Sequence, residues 1–328
     1  MKYLVTGGCG FIGSNFILRC FERERNVRIR NIDAMLTGSH PLNLQNLKNE
    51  NYTFVKGNIC NKRLIEKLIK DVDYVINFAA ESHVDRSISD PMPFLHSNIM
   101  GVYTILEAIR GKKIKFLQIS TDEIYGEILK GSHFEHDVMN PSNPYSATKA
   151  AAEMLIRSYI RTYDIDAIIT RSTNNYGPRQ FPEKLIPKTI ISALNNQSIP
   201  LHGDGNAKRQ WVHVFDHCDA LLAVLHSWKR SAIYNISSNS ESTNLELVRK
   251  ILRIMNKSED LITFVSDRPG QDRRYAINSS LIKREIGYKP KMKLQEGLNS
   301  TIDWYVSNKK WWEKLSLQKI KNPTPWLR

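Results

Sequence analysis

The chain has 328 residues, 41% of them hydrophobic and 24% charged, with a net charge of +14 from 47 basic and 33 acidic side chains. That length allows a large core and either two domains or one domain with a substantial appendage, and the composition excludes a disordered, collagen-like or disulfide-framed chain. Cys9, Cys20, Cys60 and Cys218 are scattered without a C-x-x-C pair, no apolar run reaches membrane-spanning length, and the first residues lack the apolar core of a secretory signal, so a cytoplasmic protein with reduced thiols is expected.

In chain order, Lys2 to Thr6 predicts a short apolar strand, Phe11 to Phe21 an amphipathic helix, and Val27 to Ile32 and Tyr52 to Val55 further strands. Leu64 to Ile69 reads as helix, Tyr74 to Phe78 as strand, and Phe94 to Ile109 as a long helix entered through Pro91 and Pro93. Ile114 to Ile119 is again a strand, followed by an irregular segment through Pro144. A helix runs from Ala147 to about Tyr163, and a strand follows at Ala167 to Thr170. Prolines and glycines then break the chain into short units. A helix at Asp216 to Leu225 and a strand at Ile233 to Ile236 return toward the sheet, and helices near Asn244 to Met255 and Leu294 to Val306 suit a smaller domain.

Strands alternating with helices imply an α/β fold, a doubly wound parallel sheet of the Rossmann type with a smaller α+β C-terminal unit. The expected division is 1–175 plus 208–238 for the dinucleotide-binding domain and 176–207 plus 239–328 for the substrate domain.

Gly7-Gly8-Cys9-Gly10-Phe11-Ile12-Gly13 follows a strand and opens a helix, the context a dinucleotide fingerprint requires. Asp33 ends the second strand, where a carboxylate accepts bonds from ribose hydroxyls and repels a 2′-phosphate, so NAD is favoured over NADP. Tyr145 and Lys149 stand one helical turn apart. A free phenol has a pKa of about 10, and a nearby ammonium together with a cationic nicotinamide lowers it, which makes Tyr145 a base for a carbinol proton and Lys149 its electrostatic partner and ribose anchor. Upstream, Thr121-Asp122-Glu123 sets two carboxylates together, as removal of water requires.

Six stretches carry a resemblance that covers nearly the whole chain. They are the glycine turn, Ala79–Ser87, Ser120–Gly126, Tyr145–Lys149, Asn174–Pro178 and Asp267–Tyr275. Together they closely resemble the nucleotide-sugar 4,6-dehydratases of the extended short-chain dehydrogenase/reductases, above all those acting on dTDP-glucose.

The resemblance implies that Tyr145 takes the C4 hydroxyl proton as NAD accepts the C4 hydride, with Thr121 bonded to the same oxygen. Glu123 then removes the C5 proton, protonated Asp122 donates to the departing C6 hydroxyl, and the hydride returns to C6, leaving a 4-keto-6-deoxy sugar. It further implies that Gly7, Gly10, Phe11, Ile12, Gly13, Asp33, Asn58, Ile59, Ala79, Ala80, Ser82, Ser97, Tyr145, Lys149 and Asn175 hold the cofactor. Ser82, Thr121, Asn174, Arg209, Asn244 and Arg268 surround the sugar, diphosphate or base, and two copies pair through Phe94–Ile109 and the helix after Tyr145 as a four-helix bundle.

The chain departs from the usual pattern at Asn58, where an Asp is customary, at Gln271 for a His, at His202 for an aromatic residue, and through the loop from Glu127 to Asn143. A 4-epimerase would need Tyr145 and Lys149 but not the carboxylate pair; a noncatalytic NAD-sensing or nucleic-acid-binding protein would need neither. The basic residues lie in short dispersed groups such as Lys112-Lys113 and Lys309-Lys310, which suits a solvated surface rather than a nucleic-acid-binding arm. His213 and His217 have helical metal-ligand spacing without a third ligand, so no metal is expected. The C-terminal Trp and Tyr residues are expected to pack, and His83 to be structural.

Overall fold

The computed structural model describes residues 1–319 and 325–327. Strand β1 (Lys2–Thr6), helix α1 (Phe11–Arg23), β2 (Arg28–Asp33), β3 (Tyr52–Lys56), α2 (Lys62–Leu68) and β4 (Tyr74–Asn77) open the chain. Next come α3 (Val84–Ser89), α4 (Met92–Phe94), a π turn (Leu95–Met100) that joins it to α5 (Gly101–Ile109), and β5 (Lys115–Thr121). A 3-10 turn (Asp122–Tyr125), α6 (Pro144–Tyr163), β6 (Ala167–Ser172), β7 (Asn174–Tyr176), α7 (Leu185–Leu194), β8 (Ile199–His202), β9 (Lys208–His213), α8 (Val214–His226) and β10 (Ile233–Ile236) follow. The chain continues with β11 (Glu241–Thr243), α9 (Asn244–Ile254), β12 (Ile262–Val265), α10 (Ser280–Ile286), α11 (Leu294–Ser307) and α12 (Lys309–Lys319).

Seven strands, in the order β10-β6-β5-β4-β1-β2-β3, form one parallel sheet. The doubly wound sheet expected from the sequence is therefore present. Its central strand β1 is apolar on both sides because each face is covered: Tyr3 and Val5 enter the core packed by Phe16, Ile17 and Leu221, whereas Leu4 between them enters the core packed by Ile105, Leu106 and Ile156. This period-two alternation across a two-faced sheet is what βαβ connections produce.

β7, β9 and β11 form a separate three-stranded sheet, and β8 pairs with β12. Around them α7, α9, α11 and α12 enclose Ile190, Leu247, Leu298, Tyr305, Trp311 and Trp312, so the C-terminal aromatics pack as expected.

Several local expectations are corrected. Helix α6 begins at Pro144 rather than Ala147, because Asn143 caps it and Pro144 occupies the first turn, where no N–H partner is needed. The helix expected from Phe94 starts at Met92 and contains the π turn. Pro187 reads as a break in sequence but lies in the first turn of α7. The cap of α8 is His213, whose Nδ1 accepts Phe215 N at 3.3 Å; Asp216 lies inside the helix, where its carboxylate accepts from Lys291 N and Met292 N. β9 pairs in parallel with β7 and antiparallel with β11 rather than joining the seven-stranded sheet. The end of the expected substrate unit, 320–324 and 328, lies outside the described residues.

Candidate active site

A cavity opens at the C-terminal ends of the parallel strands, where the crossovers diverge, and every residue singled out in sequence for cofactor, substrate or catalysis lines it.

At the β1–α1 turn, Gly7 has φ +68° and donates its N–H to Ile32 O at 2.9 Å. A Cβ on Gly7 would stand 2.6 Å from Ala79 N, and one on Gly13 would stand 2.5 Å from Gly7 O, so neither position admits a side chain. The cap of α1 is Gly10, which provides no side-chain bond, and the first turn has no acidic residue. Its N–H groups and dipole are therefore left to an anion. Asp33 is buried at the end of β2; Oδ2 accepts Cys9 N at 2.9 Å, and Oδ1 accepts Met35 N and Ser39 Oγ at 2.8 Å each. These bonds fix the carboxylate and leave one acceptor position on Oδ2 for a ribose hydroxyl. Phe11, Ile12, Ile59, Ala79, Ala80 and Ser97 complete the walls, and Ser97 lies within the π turn. Asn58 is exposed, and its Oδ1 already accepts Cys60 N at 2.9 Å. The cradle fits the NAD expected from the sequence, since it combines a close backbone turn, an open helix terminus and an oriented carboxylate.

The residues expected from the sequence to react come from the end of β5 and the start of α6. Thr121 caps the 3-10 turn through its Oγ1, which accepts Glu123 N at 3.3 Å, and its hydroxyl donates to Asp122 Oδ1 at 3.3 Å. Asp122 and Glu123 stand side by side on that turn. Burial, and next the charge of Glu123, push Asp122 up to about 8, while Arg209 and the Thr121 bond act the other way. Burial also raises Glu123, opposed by Arg209, by Lys184 and by Asn143, whose Nδ2 lies 3.4 Å from Glu123 Oε2.

Tyr145 is buried, and burial followed by Glu123 raises its phenol above the ordinary range. Lys149 is buried one turn along, its Nζ bonded to Ile119 O at 2.7 Å; burial lowers it to about 8, partly offset by Glu153. Two adjacent carboxyls of unequal environment beside a Thr–Tyr–Lys set can abstract and donate protons at neighbouring carbons.

The opposite wall is cationic. Arg209 stacks 4.2 Å from the Tyr275 ring centroid and donates to Asp272 O at 2.9 Å. Arg268 pairs with Asp85, with Nε–Oδ1 at 2.5 Å. Asn174 and Asn244 face the same space. Ser82 is exposed at the rim, and its carbonyl accepts Lys184 Nζ at 2.8 Å. Asn175, placed with the cofactor by resemblance, spends its carboxamide inside the protein: Oδ1 meets His217 Nδ1 at 2.8 Å, and Nδ2 donates to Ser172 Oγ and Thr173 O at 3.0 Å each.

Sequence reasoning missed Asn143, Lys184, Lys188 and Tyr275, all of which line the cavity. Asn143 was legible as an Asn-Pro helix start; the lysines sit in a Pro-rich stretch that carried no periodic signal. His83, read as structural, is also in the cavity wall, 3.6 Å from both Asp85 and Glu183.

A family model described as GDP-mannose 4,6 dehydratase matches residues 4–301. A low-salt glycan biosynthesis protein from Haloferax volcanii is 46% identical over 94% of this chain and 99% of its own length. The dTDP-glucose 4,6-dehydratase of Bacillus anthracis, solved in complex with NAD, is 42% identical with a TM-score of 0.91, covering 96% of this chain and 99% of that one. A UDP-glucuronic acid 4-epimerase from Bacillus cereus, solved with UDP-glucuronic acid and NAD, is similar at 28% identity and a TM-score of 0.89, covering 94% of this chain and 99% of that one.

Proposed function

The chain belongs to the family described as GDP-mannose 4,6 dehydratase, and on that premise we propose that it is an NAD-dependent hydro-lyase converting a nucleoside-diphosphate glucose, dTDP-glucose or UDP-glucose, to the 4-keto-6-deoxy sugar. The observation that carries this reading is the adjacent Asp122–Glu123 pair at the end of β5, Asp122 buried and Glu123 half-buried, lining the same cavity as Thr121, Tyr145 and Lys149. Epimerisation at C4 needs a base and its partner but no second acid–base pair at C5 and C6.

Bound NAD supplies the oxidising and reducing equivalents. Tyr145 takes the C4 hydroxyl proton while Thr121 holds that oxygen. Because burial and the Glu123 carboxylate raise the phenol, the phenolate depends on positive charge from Lys149 and the occupied cofactor site. The C4 ketone acidifies C5–H, which Glu123 removes, its charged form favoured by Arg209, Lys184 and Asn143. Asp122, which still holds its proton at neutral pH, delivers it to the C6 hydroxyl as water leaves. Arg209 and Arg268 take the diphosphate, for which forked guanidinium donors are suited.

The same reading divides the chain into 1–175 plus 208–238 for cofactor and 176–207 plus 239–328 for substrate, and places it in the cytoplasm. Among the described residues, no helix is long and apolar enough to cross a membrane. It also assembles the chain as a homodimer through helices α4 to α6; exposed Leu95, Met100, Tyr103 and Met154 support that surface.

The test incubates the protein with dTDP-glucose and with UDP-glucose in heavy water. Expected is a 4-keto-6-deoxy product with solvent deuterium at C5 and the C4 hydrogen moved to C6. Recovery of the galacto epimer alone would overturn the reading.

A further inference from the structure

Arg171 on β6 and Glu153 on α6 are 1% and 0% exposed at their side chains and face each other as a forked pair, with Nη2–Oε2 at 2.6 Å and Nε–Oε2 at 3.0 Å. A fully buried ion pair adds little net stability compared with apolar residues of the same volume. What it does supply is fixed geometry. The remaining guanidinium nitrogen, Nη1, donates to Tyr125 Oη at 2.5 Å and to Glu135 O at 2.9 Å. Tyr125 is the last residue of the 3-10 turn that carries Asp122 and Glu123; its hydroxyl in turn donates to Asn235 Oδ1 at 3.0 Å, and its ring stacks on His133 at 4.9 Å. One buried side chain thus touches the helix of Tyr145 and Lys149, the turn of Asp122 and Glu123, and the loop beyond it.

We propose that Arg171 is a positioning residue that fixes the acid–base turn 122–125 relative to α6, and that Tyr125 is the contact through which it does so. The redox pair has anchors of its own: Lys149 Nζ is held by Ile119 O, and Tyr145 N by Ser87 Oγ at 3.2 Å. The turn has its Thr121 cap at one end, the Asn140 N to Ile124 O bond at 3.0 Å and the Asn143–Glu123 contact along it, and at its other end Tyr125, the contact that ties it to β6 and, through Glu153, to α6. Loss of the Arg171–Tyr125 contact therefore loosens Asp122 and Glu123 while leaving Tyr145 and Lys149 in place.

This rests on the dehydratase reading, and wild-type protein serves as the control that separates the two. In single turnover with dTDP-glucose in heavy water, reduced-nicotinamide absorbance reports C4 oxidation, and deuterium at C5 reports proton removal. In Tyr125→Phe, which leaves the Arg171–Glu153 pair intact, we expect C4 oxidation within about twofold of wild type and C5 exchange slowed by about tenfold to 10²-fold, as misplacement by an ångström costs. Arg171→Lys, which keeps a cation opposite Glu153 but loses the Nη1 donor to Tyr125, should show the same split; should it fail to fold, Tyr125→Phe decides alone. Equal slowing of both steps, or no change in either, overturns the proposal; a wild type that makes no 4-keto-6-deoxy sugar overturns the underlying reading instead.

Discussion

Asn143 Nδ2 lies 3.4 Å from Glu123 Oε2, while Asn143 Oδ1 accepts Ser146 N at 2.9 Å, so one side chain meets the proposed C5 base and caps the helix that presents Tyr145. Asn143→Ala removes a cap worth about 1 kcal/mol and also the donor that favours ionised Glu123. Its melting temperature should fall, and the acid limb of the kcat profile should move to higher pH. Asn143→Asp keeps the cap but sets a second negative charge beside Glu123, so the limb moves further with less loss of stability. If neither variant shifts the acid limb, Asn143 does not tune Glu123.

Asp122 makes a second prediction about pH. Its carboxyl is pushed up to about 8 by burial and by Glu123, so proton donation, and kcat with it, should decline as pH rises past that value. Asp122→Asn should leave C4 oxidation intact, slow turnover by about 10²- to 10⁴-fold, and delete the basic limb. The linkage has a definite sign. A folded-state pKa above the ordinary value near 4 means that the folded chain holds the proton more tightly, so this site's stabilisation is present in acid and is lost as pH rises toward about 8. The melting temperature of Asp122→Asn relative to wild type should therefore rise between pH 5 and pH 8. A constant difference would place the ordinary carboxyl value on Asp122.

The parts of the fold legible in sequence were those whose physics is local. The strand–glycine–helix start, Asp33 at a strand end and the Tyr145–Lys149 spacing all sit within single βα units, where period and turn chemistry speak directly. What stayed hidden depends on distant partners. The loop from Glu127 to Asn143 has no periodic pattern because it is pinned from elsewhere: His133 N donates to Ala276 O at 2.9 Å, and Arg274 Nη1 donates to Ile128 O at 3.0 Å. Lys184 and Lys188 are likewise invisible as site residues until α7 folds against the cavity. Asn175 shows the converse, a motif residue whose carboxamide is consumed by His217, Ser172 and Thr173.

Asp33 tests the cofactor cradle. Asp33→Ala removes the acceptor for a ribose hydroxyl, and a hydrogen bond to a charged group is worth about 1.5–3 kcal/mol, so the Kd for NAD should rise by about 10- to 100-fold. The same substitution releases Cys9 N, Met35 N and Ser39 Oγ, so the unliganded protein should also melt earlier. Asp33→Asn retains an acceptor without the charge that repels a 2′-phosphate, and the NAD over NADP preference measured by calorimetry should narrow. An unaltered preference in both variants would move cofactor discrimination away from Asp33.

The dimer proposal makes the last prediction. Met154 is 56% exposed on α6 and Leu95 40% exposed on the π turn packed against that helix. If two copies join there about a two-fold axis, each substitution enters the interface twice, so one ammonium per chain costs double. Met154→Lys should therefore sediment as a monomer at micromolar concentration, where wild type sediments as a dimer. Phe264→Lys provides the control, because Phe264 is as exposed, at 57%, but lies on β12 in the smaller lobe. A monomeric wild type, or a Met154→Lys protein that still dimerises, would place the interface elsewhere; dissociation by both variants would point to a general loss of structure rather than to this face.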